Sequence, residues 1–256
     1  MRVTVCQLTE GLQGLVKDWA RLAAHIERYK SQLLLLPEMP FHDWFPRQKA
    51  YDPAVWESAI AAHEAWLARL PELAPAIVLG TRPIERGGCR LNEAFAWEPG
   101  SGYHATHHKY YLPDQPGFWE ATWYQRGDGD FIPLRVGEFV LGFQICTEMW
   151  FMERARAYGR AGVHLLAVPR ATMHETFDKW LAGGRAAAVI SGAYCASSNG
   201  YTPGTPPMGL GGQGWVIDPD GEVLGLTSAD EPFLTVEIDL EAAEAAKKTY
   251  PRYVPE

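Results

Sequence analysis

Leu33-Leu34-Leu35-Leu36-Pro37-Glu38 sets four consecutive leucines against a proline and a carboxylate. So short a continuous apolar run, stopped by proline, reads as a strand buried on both faces, the habit of parallel sheets covered by helices. The flanking sequence agrees. Residues 2–8 alternate as a strand, and Leu12, Leu15, Val16, Trp19, Leu22, Ala23 and Ile26 fall at helical spacing to make one apolar stripe. Downstream, Pro53 suits the first turn of a helix expected to reach residue 70, and 77–80 reads as a third strand. Strand–helix–strand–helix–strand over the first third of the chain is an α/β signature.

The middle changes character. Strands at 93–97 and 103–107 flank the turn-forming Glu98-Pro99-Gly100-Ser101-Gly102, and strands at 131–136 and 139–145 flank Gly137, so two hairpins are expected. Between them, 110–130 reads as a long irregular loop, and such loops often carry function. The βα alternation resumes with a helix at 151–161, a strand at 164–168, a helix at 176–191 and a strand at 193–198. Strands 215–217 and 223–226, joined through Asp218-Pro219-Asp220-Gly221, precede a strand at 233–238 and a short helix at 240–248. No repeat, low-complexity tract or linker breaks the 256 residues, so one α/β domain over 1–256 with mixed strands is expected.

Lys plus Arg number 23 and Asp plus Glu 31, a net charge of −8. That balance argues against a nucleic-acid partner, which calls for clustered positive charge. No apolar run approaches the ~18 residues a membrane span needs, and residues 1–8 are too short and alternating for a signal-peptide core. Cysteines at 6, 89, 146 and 195 form no Cys-x-x-Cys, so neither zinc knuckle nor dithiol pair is indicated, and a reduced cytoplasmic protein is expected. Gly209-x-Gly211-x-x-Gly214 spells a dinucleotide fingerprint, but it follows the proline-rich 201–207 loop and precedes a strand, which is the wrong context. His104, His107 and His108 lack a second ligand cluster and read as alternating strand residues beside Lys109. Ser191 and Ser197-Ser198 lack the glycines of a nucleophile elbow.

Glu38, Lys109 and Cys146 each come directly after a strand, where α/β folds place reactive groups. Singly, each reads as a solvated strand end. Together they supply a base, a cation and a nucleophile.

The motifs around them resemble those of the nitrilase, or carbon–nitrogen hydrolase, superfamily. Leu35-Leu36-Pro37-Glu38 is similar to its first signature, Lys109-Tyr110-Tyr111-Leu112 to its second, and Gly142-Phe143-Gln144-Ile145-Cys146-Thr147-Glu148 to its third. Trp180-Leu181 with Arg185-Ala186-Ala187-Ala188 and Asn199, and Gly212 to Leu224, resemble its later segments. The resemblance implies an α-β-β-α four-layer sandwich with two mixed sheets, often assembled as a homodimer or larger homo-oligomer. It also implies cysteine-dependent hydrolysis of non-peptide C–N bonds, with no metal or cofactor.

In that chemistry Glu38 accepts the Cys146 proton, and the thiolate attacks the carbonyl of a small carboxamide or N-carbamoyl compound. Lys109 and the Thr147 backbone N–H hold the oxyanion. Glu38 then protonates the leaving amine and later activates the water that cleaves the thioester. Family members carry a second glutamate in the loop after the lysine, for which Glu120 is the candidate and Glu148 the rival. Glu148 reads as structural, a partner for Arg154 or Arg170. Nitrile hydrolysis remains an alternative, although Thr147 stands where nitrilases commonly carry Trp, and acyl transfer or a non-catalytic binding role on the same fold also stay open. Trp44, Trp119, Trp123, Tyr124 and Trp150 suggest aromatic pocket walls, whereas Trp19, Trp56, Trp66, Trp97, Trp180 and Trp215 suggest core. Arg170, Thr172 and His174 are expected on an opposite wall, where a basic residue favours an acidic substrate. Cys6, Cys89 and Cys195 read as small buried hydrophobes.

Overall fold

The leucine run forms the central strand β2 (Leu33–Leu35), with β1 (Arg2–Thr9) and β3 (Ile77–Arg86) parallel on either side, in the computed structural model of the chain, which describes residues 1–204 and 207–255. Leu33 and Leu35 face one way and Leu34 and Leu36 the other, and all four are fully buried. Burial on both faces is why the run needs no polar alternation, and each leucine removed from water contributes about 1.5–3 kcal/mol.

Helix α1 (Leu12–Tyr29) lays Leu15, Trp19, Leu22 and Ile26 on this sheet, while Leu12 and Val16, assigned by spacing to the stripe, stay exposed. Helix α2 (Pro53–Leu67) starts with the Asp52 side chain accepting the Ala54 N–H and Pro53 in the first turn. It stops short of residue 70 because Pro71 cannot extend it; a 3₁₀ turn, Leu70–Leu73, follows. β3 runs past residue 80 because Gly87 and Gly88, at φ 59° and 76°, make a two-residue turn straight into β4 (Cys89–Glu98). Pairing of β3 with β2 ends at Leu79, so Pro83 costs the ladder nothing there. Cys89, at the start of β4 beside the turn, is exposed, contrary to its expected burial.

Strand β5 (Gly102–His108) completes one side of the first sheet, and β12 (Phe233–Glu237) pairs antiparallel with β1 on the other. The second sheet repeats the plan. Parallel β7 (Phe139–Phe143), β8 (Leu165–Arg170) and β9 (Tyr194–Tyr201) are flanked by antiparallel β6 (Leu134–Val136), β10 (Trp215–Ile217) and β11 (Val223–Leu226). The sheets join where Gln7–Thr9 run parallel to Asn199–Tyr201. Val3, Val5, Leu33, Leu35 and Leu79 meet Leu141, Phe143, Leu165, Ala167 and Val216 between the sheets. Helices α4 (Met152–Arg160) and α5 (Phe177–Ser191) pack the outer face of the second sheet through Ala155, Tyr158, Ala187 and Ala188. The result is the expected α-β-β-α four-layer sandwich.

Two shorter helices remain. α3 (Glu120–Trp123) is a single turn inside the stretch expected to be irregular, and α6 (Leu240–Ala246) lies near the end. Strand β10 follows Gly214 directly, which upholds the rejection of a dinucleotide loop, although Thr205 and Pro206 of the 201–207 stretch lie outside the described residues. Among the described residues no helix is long and apolar enough to cross a membrane.

Candidate active site

Glu38 follows β2, Lys109 follows β5, and Cys146 opens a 3₁₀ turn, Cys146–Trp150, after β7. The first two belong to one sheet and the third to the other, so the sandwich itself brings them together. All three are buried: Glu38 and Cys146 are 3% exposed and Lys109 0%.

Lys109 is the hub. Its Nζ donates to Glu38 Oε1 at 2.8 Å and to Glu120 Oε2 at 2.6 Å. Burial alone would pull the ammonium down, but the Glu120 and Glu38 carboxylates overcome it and hold the lysine charged, above its ordinary value. Glu120, first residue of α3, is fully buried. That burial, with Glu38 adding to it and Lys109 opposing, pushes its carboxyl up to about 8.

The Cys146 thiol is pushed up by burial and by Glu38 and Glu120, against the pull of Lys109 and of the Ala171 N–H. Cys146 therefore rests as a thiol, which must lose its proton before the sulfur can attack. Glu38 Oε2 is the acceptor on hand: buried and without a hydrogen-bond partner, whereas Oε1 is committed to Lys109 and to Asn92 Nδ2 at 2.8 Å. Cys146 sits at φ 48°, in the left-handed region that costs a non-glycine residue about 1 kcal/mol or more, a strain typical of reactive turns.

Backbone contacts lock the parts together. Glu38 N–H donates to the Arg170 carbonyl (3.2 Å), Lys109 N–H to the Asn92 carbonyl (2.9 Å), and Met39 N–H to Thr81 Oγ1 (2.8 Å). Asn92 thus serves both Glu38 and Lys109. The expected strand at 93–97 leaves Asn92 outside it, whereas β4 begins at Cys89 and carries Asn92 fully buried. Tyr124, one residue past α3, buries a phenol whose Oη has no partner and whose ionisation is opposed by burial, Glu120 and Glu38.

Other expectations need correction. Glu148 is buried but pairs with neither arginine; it accepts from His107 Nε2 at 2.9 Å and from the Tyr110 and Ile145 N–H groups. Arg170 faces the α5 side of its sheet, stacked 3.9 Å over Trp215 and donating to Ser197 Oγ, Thr172 Oγ1 and the Gln213 carbonyl, so it is no pocket wall. Thr172 is 3% exposed, held by Arg170 and Asn199, while its neighbour Ala171 faces the sulfur. Trp123 is fully buried, donating to the Gln48 carbonyl, and Trp150 lies on the surface against Trp180. Trp119 is half-buried under the Lys49 ammonium. Only Trp44 of the four loop tryptophans borders the cleft beside Glu38, a space of about 20 Å³ lined also by Thr9, Glu10, Pro40, His42 and Leu210. Thr147 follows Cys146, half-buried. His107 and His108 do point opposite ways, to Glu148 and Glu93, and among the described residues no group of three metal-ligating side chains converges.

The family model for carbon-nitrogen hydrolases matches residues 2–248. Among curated relatives, the N-carbamoylputrescine amidase of Oryza sativa subsp. japonica is 27% identical over 54% of this chain and 51% of its own. The omega-amidase of Mus musculus is 28% identical over 68% and 65%. The glutamine-dependent NAD(+) synthetase of Rhodobacter capsulatus is 25% identical over 98% and 45%. The chain thus spans about half to two thirds of the length of these relatives. Among solved structures, a carbon-nitrogen hydrolase from Helicobacter pylori G27 superposes with a TM-score of 0.87 at 23% identity, covering 99% of this chain and 94% of that one. An amidase from Nesterenkonia sp. gives 0.77 at 22%, covering 95% and 92%. A family match along nearly the whole sequence, on a shared four-layer fold, makes this chain a member of the carbon–nitrogen hydrolase family.

Proposed function

We propose that the protein is an amidase that hydrolyses a small carboxamide or N-carbamoyl compound through a thioester on Cys146. The observation that carries this reading is the sealed Glu38–Lys109–Glu120 cluster beside a strained cysteine, with one Glu38 oxygen left unpartnered. Glu38 Oε2 takes the Cys146 proton as sulfur attacks the carbonyl carbon. The oxyanion develops against the Lys109 ammonium and the Thr147 N–H, donors that each lower the barrier by about 3 kcal/mol in a dry, fixed site. The tetrahedral adduct collapses as Glu38 delivers that proton to the departing nitrogen, releasing ammonia. Glu38 next takes a proton from water, hydroxide adds to the thioester, and the proton returns to sulfur as the carboxylic acid leaves. Glu120 keeps Lys109 charged and aimed. The amidases among the curated relatives, and a glutamate-to-glutamine mutant of the Nesterenkonia sp. AN1 amidase, which shows covalent addition of the acetamide moiety of fluoroacetamide at the active-site cysteine, support the same reading.

The test is ammonia release from a panel of carboxamides, N-carbamoyl compounds and nitriles, with intact-mass detection of an acyl adduct on Cys146. Amide or carbamoyl turnover that is lost in Cys146→Ala is the expected result. Turnover confined to nitriles, or turnover surviving the substitution, would overturn the proposal.

A further inference from the structure

Glu148 is fully buried, and three donors converge on it. Tyr110 N–H reaches Oε1 at 2.7 Å, Ile145 N–H reaches Oε2 at 2.8 Å, and His107 Nε2 lies 3.1 and 2.9 Å from the two oxygens. Tyr110 is the residue after Lys109 and Ile145 the residue before Cys146. One carboxylate therefore ties the backbone that ends in the lysine, on the first sheet, to the backbone that delivers the cysteine, on the second. The same side chain caps the 3₁₀ turn that Cys146 opens.

His107 completes the arrangement. Its Nδ1 lies 3.1 Å from the Asp130 carbonyl oxygen, so both ring nitrogens face acceptors and both carry protons. Burial opposes the imidazolium, but Glu148 outweighs it and raises its pKa. The charge has a purpose here. Glu148 adds a third carboxylate to a neighbourhood that already holds Glu38 and Glu120, and unpaired it would push the Cys146 thiol further from ionisation. Matched by an imidazolium, it keeps the short, strong hydrogen bonds of an ionised acceptor without that penalty.

We infer that Glu148 and His107 form a positioning pair that sets the distance between the Lys109 ammonium and the Cys146 sulfur. This rests on Cys146 being the nucleophile, and neither member of the pair touches the reacting atoms.

The test uses the full-length protein and iodoacetamide, following alkylation of the Cys146 peptide by mass spectrometry from neutral to alkaline pH. Exposed Cys89 is the internal control. Glu148→Gln offers one acceptor and one donor where three donors converge; His107→Phe keeps the ring and removes both donors. In both, Cys146 alkylation at neutral pH should slow by at least about tenfold, since displacements of roughly 1 Å can cost ~100-fold. Its pH midpoint should rise while Cys89 is unaffected. His107→Gln returns a neutral donor and should recover part of the rate, which also keeps the proposal testable should Glu148→Gln not fold. Folded His107→Phe protein with wild-type alkylation and pH midpoint at Cys146 would overturn the pair. Ammonia release surviving Cys146→Ala would instead overturn the nucleophile assignment beneath it.

Discussion

Lys109 and Glu120 meet at 2.6 Å with side chains 0% and 1% exposed. Such a pair stabilises little on balance, because desolvating two charges cancels most of their attraction, but removing one partner strands the other. Its value here is orientation: Glu120 on one side and Glu38 on the other leave the ammonium one direction in which to act. Glu120→Gln keeps the shape but cannot ionise, so above pH ~8, where Glu120 is a carboxylate, kcat should fall by about 100-fold in a folded protein. Glu120→Ala, which leaves the ammonium one carboxylate short, should also lower unfolding free energy by ~3 kcal/mol. Steady-state ammonia release and urea titration read the two effects; wild-type kcat in Glu120→Gln would remove Glu120 from the machinery.

Asn92 holds the other end of the same device. Its Nδ2 fixes Glu38 Oε1, which keeps Oε2 free. Asn92→Ala removes one charge-assisted hydrogen bond, so kcat/KM should drop by about tenfold, equivalent to ~1.5 kcal/mol. Asn92→Asp places a further carboxylate against Glu38 and should be worse than alanine. The opposite ranking would mean that Asn92 only packs.

The contrast between these two residues shows what a linear reading can reach. Glu38, Lys109 and Cys146 are legible because each stands where a strand stops, and strand ends announce themselves by local pattern. Asn92 is not, because its strand begins at a turn whose character depends on Gly87 and Gly88 both adopting positive φ. Glu148 reads as structural in the sequence, but its partner His107 lies 41 positions away on the other sheet, and no local periodicity encodes that meeting. Arg170 failed for a related reason. A residue ending a strand can point to either face, and this one turns toward Trp215 and α5 rather than toward the cleft.

Stability should fall between neutral pH and mildly alkaline pH. Glu120 and His107 both have folded-state pKa values above their unfolded ones, Glu120 up to about 8 through burial and His107 through Glu148. Each therefore contributes stability that is complete below its unfolded pKa and is lost as pH rises through the folded one. Most other shifted groups are silent in this window: His25, His63 and His164 are lowered and act on the acid side, and Cys6, Cys146 and Cys195 are raised from a value of 9.0. Urea midpoints compared at neutral pH and just above pH ~8 should show the loss. It should be smaller in Glu120→Gln, which cannot ionise; an equal or steeper slope in that variant would refute the assignment.

Trp123 and Trp150 should separate cleanly. Trp123 is fully buried, its centroid 4.9 Å from Phe45 and 5.4 Å from Tyr51, and its Nε1 donates to the Gln48 carbonyl at 2.7 Å. Trp123→Ala should cost ~3–5 kcal/mol by urea titration, the range for emptying a large buried aromatic site. Trp150 is 42% exposed and rests on Trp180 at 5.1 Å, so Trp150→Ala should stay within about 1 kcal/mol. The two should differ in activity as well. Trp123 ends the single helical turn that Glu120 begins, and the Tyr124 N–H closes that turn on the Glu120 carbonyl at 2.8 Å. Loosening Trp123 therefore loosens the carboxylate that orients Lys109. Trp123→Phe, which keeps one aromatic ring and loses the second ring and the indole N–H, should be milder on both counts, and kcat should fall in step with the disturbance of Glu120 rather than with any loss of contact to substrate. Unchanged KM across the Trp123 variants is the expected signature; a rise in KM with kcat preserved would return Trp123 to the pocket wall.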